Sequence, residues 1–292
     1  MTLPALPPFA EQGIGALPCW RSPVDISPLP GGMTNHNFLV RDGSGRFVVR
    51  LGQDLPQHGV MRFNELAAAR AAHAAGVAPE VVYAQDGVMV TRYIESRTLV
   101  AADLRDPQRL DAVVGLLRRC HKEVALHLRG PALMFWVFQV IRNYCATLDA
   151  IPDNLLAGYL PSLKVLAARL EAEIGPVDIV FGHNDLLCGN FLDDGQRLWL
   201  IDWEYAGFNS PLFDLANLSA NNRFAPELDA ELLARYLDAV PSAAQRRSLA
   251  GLRQASLLRE VLWGAVSHHH PGVDFDFAQY TQDWLAQLEL PR

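Results

Sequence analysis

Cysteine is scarce in this chain: Cys19, Cys120, Cys145 and Cys188 are scattered, and no two form a C-x-x-C pair. That pattern argues against both a disulfide framework and a thiolate zinc site. Long apolar runs are missing too. The longest, Ala132 to Ile141 with Gln139 inside it, is too short to span a bilayer. Met1 to Trp20 carries no basic stretch ahead of an apolar core and is interrupted by prolines, so it does not read as a secretory signal, and a cytoplasmic location is expected. No Lys/Arg run stands out, and with a net charge of −7 a nucleic-acid partner is not expected. There is no G-K-[ST] of a Walker A loop, no D-F-G triplet, no internal repeat and no long low-complexity linker. What remains is 292 residues, half of them apolar, enough for one large domain or two modest lobes.

The pattern along the chain favours two lobes. Residues 1–30 are proline-rich and read as an irregular lead-in. Phe38–Val40 and Phe47–Leu51, joined by Asp42-Gly43-Ser44-Gly45, read as a hairpin. An Ala-rich helix follows from about Val60 to Ala75, stopped by Gly76 and Pro79. Val81–Tyr83 and Val88–Tyr93 flank Asp86-Gly87 as a second hairpin. Beyond Ile94–Arg97 the periodicity is mostly helical: 106–122, 133–149, 160–174, 227–239, 242–267 and 275–289. The interruption is 178–205, where Ile179–Phe181, Asn190–Leu192 and Leu198–Ile201 read as short strands. The expected fold is α+β and bilobal, a small β-rich lobe (1–95) followed by a larger, mostly helical one (96–292).

The polar residues of that interruption carry the chemistry. Asp185 is followed five residues on by Asn190, and Asp202 lies twelve further, at the end of an apolar strand. Phosphoryl transfer needs this set: a carboxylate to orient and deprotonate a hydroxyl, and an amide oxygen with a second carboxylate to hold Mg²⁺ on the nucleotide phosphates. The protein-kinase loop H-R-D-x-x-x-x-N has the same Asp-to-Asn spacing, but Asn184 takes the arginine position, which points to a small-molecule acceptor. Asp185 is therefore the candidate base, with Asn190 and Asp202 the candidate metal ligands. Glu204 would face the same region if the backbone stays extended. Arg50 ends a strand where a cation can reach the phosphates, with Glu65 as its carboxylate partner. The turn Gly31-Gly32-Met33-Thr34 offers backbone N–H groups to phosphate oxygens, and Met89 to Ile94, Tyr93 included, is placed to meet adenine. His183 and Trp203 read as bracing and packing, and Asp214 as a tie for the catalytic loop. His268-His269-His270 reads as a helix end, because consecutive helical residues point about 100° apart.

These segments give the chain a resemblance. Gly31–Asn35, Val48-Val49-Arg50, Phe181–Asp185 through Asn190, Ile201–Tyr205 with Asn209 and Phe213-Asp214, and the tail Asp274–Phe277 with Tyr280 resemble the choline/ethanolamine kinase family, within the wider aminoglycoside-phosphotransferase-like kinases. The resemblance covers roughly residues 25–289. It implies a bilobal protein-kinase-like fold, with nucleotide bound by the first lobe (1–95) and catalysis and substrate carried by the second (96–292). It also implies ATP with Mg²⁺ and phosphorylation of a small, cationic amino alcohol, whose ammonium would meet aromatic residues such as Trp263 and Tyr280. Two positions depart from it: Val266 replaces the second tryptophan of W-x-x-W, and Asn221 replaces a glutamate seven residues after Asp214. Both weaken a cage for a quaternary cation. Choline, ethanolamine, thiamine or an aminoglycoside stays open as the acceptor. The alternative of another class is a pseudokinase-like binding module without turnover.

Overall fold

The computed structural model describes residues 13–30, 35–269 and 275–288. The first lobe is built on a five-stranded antiparallel sheet: β1 (Asp25–Pro28), β2 (His36–Asp42), β3 (Gly45–Leu51), β4 (Val81–Gln85) and β5 (Val88–Arg92), in the order β1-β2-β3-β5-β4. The β2–β3 turn is set by Asp42, whose Oδ1 accepts the Ser44 backbone N–H at 2.7 Å. Alternation then puts Phe38, Val40, Phe47, Val49 and Val90 on one buried face with Ile14 and Leu17. Edge strand β1 is an addition to the sequence reading, which took residues 1–30 as irregular. Its burial is slight, so no apolar alternation marked it.

Helix α1 (Arg62–Ala74) crosses between the lobes. Its Ala68, Ala69, Ala71 and Ala72 join the larger core of the second lobe rather than the sheet's own. The buried Asn64 works in both directions: its Nδ2 donates to Ala206 O at 2.8 Å, and its Oδ1 accepts Leu133 N–H at 2.9 Å.

After the two-residue strand β6 (Arg97–Thr98), the second lobe contains α2 (Pro107–His127), α3 (Val137–Asp149), α4 (Leu160–Ile174), β7 (Val180–Gly182), β8 (Phe191–Asp193), β9 (Leu198–Leu200), β10 (Gly207–Asn209), α5 (Pro211–Asn221), α6 (Pro226–Leu237), α7 (Ala243–His269) and α8 (Phe277–Leu285). β6-β8-β9 and β10-β7 form two small antiparallel sheets. Helix α5 was absent from the sequence reading although its start was written there. Ser210 caps it by accepting Leu212 N–H, and Pro211 occupies the first turn. The spine is α7, packed against α3, α4, α5 and α8 and buried without interruption from Ala255 to Ser267. Each fully buried Leu or Val there contributes about 1.5–3 kcal/mol. His268 and His269 close this helix, while His270 lies outside the described residues. Among the described residues no helix is long and apolar enough to cross a membrane.

Candidate active site

Strand β7 delivers the chain into the loop that carries Asp185, and α5 holds the loop from behind. Asp214, 1% exposed, accepts the backbone N–H groups of His183 and Asn184 at 2.8 and 2.7 Å, and His121 Nε2 lies 2.9 Å from its Oδ2. Burial alone would raise the Asp214 carboxyl. The hydrogen bond and charge of His121, with His183, hold it below the usual carboxylate range instead. One turn on, Asn217 Oδ1 accepts Leu186 N–H at 2.5 Å, and Asn222 Oδ1 accepts Cys188 N–H at 2.9 Å. Asn184 has φ +67°, a left-handed conformation that asparagine tolerates better than most residues. Its amide donates to Tyr205 O and Gly207 O at 3.1 and 3.2 Å. His183 braces the next segment through Nε2, 2.9 Å from Ile201 O, with its ring against Trp203.

Asp185, Asn190, Asp202 and Arg50 line one cavity of about 680 Å³ between the lobes. The Asp185 side chain is 17% exposed, with its Oδ1 3.5 Å from Arg259 Nη1. Burial lifts its carboxyl to about 7; Arg259 opposes the rise, and Glu260, Asp202 and Glu204 add to it. Asn190 donates its Nδ2 to Asp185 O at 2.9 Å, which leaves its side-chain oxygen to coordinate a cation. Asp202 follows β9 in a left-handed conformation, φ +70°, and its Oδ1 accepts Arg50 Nη2 at 2.7 Å.

A ladder of alternating charge ties these groups to the first lobe. Arg50 pairs with both Glu65 and Asp202; Arg62 Nη1 pairs with Glu65 at 2.5 Å and with Glu204 at 3.2 Å. Burial disfavours the Arg50 cation, but Asp202, Glu65 and Glu204 more than compensate, so it stays protonated. The premise that placed Glu204 beside Asp202 is corrected: the backbone is not extended there but turns at Asp202. Glu204 still lines the cavity, held by Arg62 and by Asn35 Nδ2 at 3.0 Å. Burial raises its carboxyl, with Asp202 adding and Arg50 opposing. The segment expected to meet adenine, Met89 to Ile94, falls in two parts. Val88–Arg92 is the inner strand β5, paired on both sides, so its backbone is committed to the sheet. Tyr93 to Ser96 follow it along the cavity, with Arg46 4.9 Å from the Tyr93 ring centroid. Gly31, Gly32 and Thr34 lie outside the described residues, as does Asp274.

Trp263 and Tyr280 line the same cavity. Trp263 donates its indole N–H to Tyr205 Oη at 2.9 Å, and Tyr280 donates its hydroxyl to Glu260 Oε2 at 2.7 Å. Two residues of this wall, Arg259 and Glu260, were missed in the sequence. They lie four and three positions before Trp263, on the same helix face, and that spacing was the available signal. Among the described residues no group of three or more His, Cys, Asp or Glu side chains is placed to hold a metal ion alone. An Asn190–Asp202 pair fits a cation that completes its shell with phosphate oxygens and water.

A two-lobed α+β fold with an Asp-x₄-Asn loop, a second aspartate after the next hairpin and a buried Arg–Glu pair from the first lobe defines a small-molecule kinase with a protein-kinase-like fold. Residues 26–225 match the family described as choline/ethanolamine kinase, and the chain belongs to that family. It is 34% identical over 214 residues to Protein LicA of Haemophilus influenzae; the match covers 70% of this chain and spans 61% of the relative's length. It is 27% identical to ethanolamine kinase 2 of Mus musculus, covering 87% of this chain and 74% of that one. The crystal structure of a choline/ethanolamine kinase family protein from Mesorhizobium loti superposes with a TM-score of 0.77 at 30% identity, covering 95% of this chain and 92% of the other.

Proposed function

We propose that this chain transfers the γ-phosphoryl group of ATP to the hydroxyl of choline or ethanolamine, with Asp185 as the base and Asn190 and Asp202 as the Mg²⁺ ligands. The observation that carries this reading is the convergence of Asp185 and Asn190, from one loop, with Asp202, from the segment after β9, on one cavity with Arg50. Bound Mg²⁺ would supply charge neutralisation on the phosphates. Asp185, raised toward neutrality and held by Arg259, accepts the acceptor's proton or orients its hydroxyl. Arg50 faces the phosphates, and Glu65 fixes the direction of its guanidinium. Glu204 stands behind Asp202; a second metal ion there would displace Arg62. On this reading a nucleotide lobe (1–95) meets an acceptor lobe (96–292) within Tyr93 to Ser96, with Trp263 and Tyr280 on the acceptor side. A binding module without turnover is less favoured, because the proposed base, amide and carboxylate all face one cavity.

The test is Mg·ATP consumption by the purified protein against choline, ethanolamine, thiamine and an aminoglycoside, with Asp185→Ala as the blank. Turnover of choline or ethanolamine, lost in the variant, is expected. Turnover confined to thiamine or the aminoglycoside, or turnover that survives in Asp185→Ala, would overturn the proposal.

A further inference from the structure

Helix α7 is buried on all sides from Ala255 to Ser267, and into that run the sequence sets two charges, Arg259 and Glu260. A buried charge is costly unless it is paired, and apolar residues of similar size would pack at least as well. This pair is therefore not explained by stability. Arg259, 2% exposed, reaches Glu260 Oε1 at 2.6 Å and Asp185 Oδ1 at 3.5 Å with the same Nη1, while its guanidinium lies 4.4 Å from the Tyr205 ring centroid. Glu260 in turn accepts the Tyr280 hydroxyl. Asp185, Arg259, Glu260 and Tyr280 thus form a continuous polar chain along the wall of the cavity. An ionised carboxylate has about four lone-pair sites, so Glu260 keeps capacity for further donors.

Two more observations describe the same wall. Asn221, on the last turn of α5, lines the cavity, and both polar atoms of its side chain are buried without a hydrogen-bond partner among the described residues. Buried polar groups are nearly always bonded, so an orphaned amide at a cavity wall points to a ligand. Trp263, by contrast, is only 5% exposed: His58, Phe277 and Tyr280 pack around its ring, and one turn further on stands Val266. The wall sets buried hydrogen-bond acceptors, Glu260 and Asn221 Oδ1, beside the half-buried rings of Tyr280 and Trp284. A quaternary ammonium has no N–H to give to Asn221 Oδ1 or Glu260, and it relies on ring faces instead. A protonated primary amine brings three donors.

Building on the acceptor reading above, we propose that Glu260, assisted by Asn221, is a specificity-determining residue that selects amino alcohols whose ammonium nitrogen still carries hydrogen over quaternary ones. The experiment is kcat/KM for ethanolamine and its N-methyl, N,N-dimethyl and N,N,N-trimethyl derivatives, the last being choline, with wild type, Glu260→Gln and Asn221→Leu. The wild type should fall about ten- to a hundredfold from the first to the last, the worth of one or two hydrogen bonds to a charged group. Glu260→Gln should raise KM for ethanolamine more than it lowers kcat, and should flatten the series. Asn221→Leu should flatten it as well, without touching the Arg259–Glu260 pair, and it carries the test alone if Glu260→Gln does not fold. A wild-type series that is flat or rises toward choline would overturn the inference, as would a steep series unchanged in a folded variant. Absence of turnover on all four compounds would instead overturn the acceptor reading, and the inference would fall with it.

Discussion

Asp185→Asn should slow turnover sharply and, at neutral pH, make the protein more stable. The carboxyl of Asp185 is lifted from the ordinary aspartate value near 3.8 to about 7, chiefly by burial. For a carboxyl whose folded value is raised, the protonated form is the one the fold prefers. Its contribution is fully present below the unfolded value, drains away as pH climbs from about 4 to about 7, and is gone above that. Three units at 1.36 kcal/mol each set a ceiling of about 4 kcal/mol on what the ionised base costs. Asparagine keeps the shape of the neutral acid and loses only the pairing with Arg259, so a gain of about 1–3 kcal/mol is expected above pH 7. Urea unfolding in EDTA, followed by tryptophan fluorescence, should show the variant and wild type nearly equal at about pH 4.5 and the variant ahead at about pH 8. The same variant should lose about two to four orders of magnitude in kcat. A variant less stable than wild type at pH 8, or a difference that does not change with pH, would refute the reasoning.

Three other outcomes follow from the same geometry. In wild type, kcat/KM should fall on the acid side with a limb well above pH 4, because the base must be ionised to act; a limb at the ordinary carboxylate value would show that the raised Asp185 is not the group in play. Asp214→Asn should cost about 3–5 kcal/mol in urea unfolding at neutral pH, since it weakens a buried carboxylate that accepts two backbone N–H groups and faces His121. Because the Asp214 carboxyl is depressed, its stabilisation is present above the unfolded value and lost as pH falls through the folded one, so the deficit should close in acid. Asp202→Ala should leave ATP binding, measured by calorimetry, insensitive to Mg²⁺ and should remove turnover; retained Mg²⁺ dependence would mean that the metal is held elsewhere.

Much of the fold could be read from periodicity because its elements are regular where they are buried. The helix over 160–174 matches α4 end for end, and both hairpins of the first lobe fall where their turns are written. What escaped was short or locally unpatterned. Strand β6 has two residues and β1 is largely exposed, so neither carries an apolar alternation. Helix α5 was missed for a different reason: its polar residues Asp214, Asn217 and Asn222 look like loop residues, yet they are buried because their partners are the backbone of another loop. The pairing of Arg50 with Glu65 followed from charge and position, and both partners are there. Arg259 could not be found that way, because its partners Asp185 and Tyr205 lie more than fifty residues away and only the fold brings them together.

The charge ladder across the cavity adds a constraint that no single residue expresses. Arg50 and Arg62 face Glu65, Asp202 and Glu204, and this bonded group is nearly balanced without any ligand. A nucleotide triphosphate entering alone would bring strong negative charge against Asp202 and Asp185, and like charges at such separations in a partly desolvated site repel strongly. On the proposed reading, a divalent cation held by Asp202 and Asn190 would remove that repulsion and would also compete with Arg50 for the Asp202 carboxylate. Arg50 would then be free to meet the phosphates, while Glu65, itself held by Arg62, would keep the guanidinium in place. Metal and nucleotide binding would then be coupled through this exchange of partners. The pairing of Arg50 with Asp202 would be more than a latch between the lobes: it would keep the cation and the carboxylate balanced until Mg²⁺ and phosphate replaced each as the other's partner.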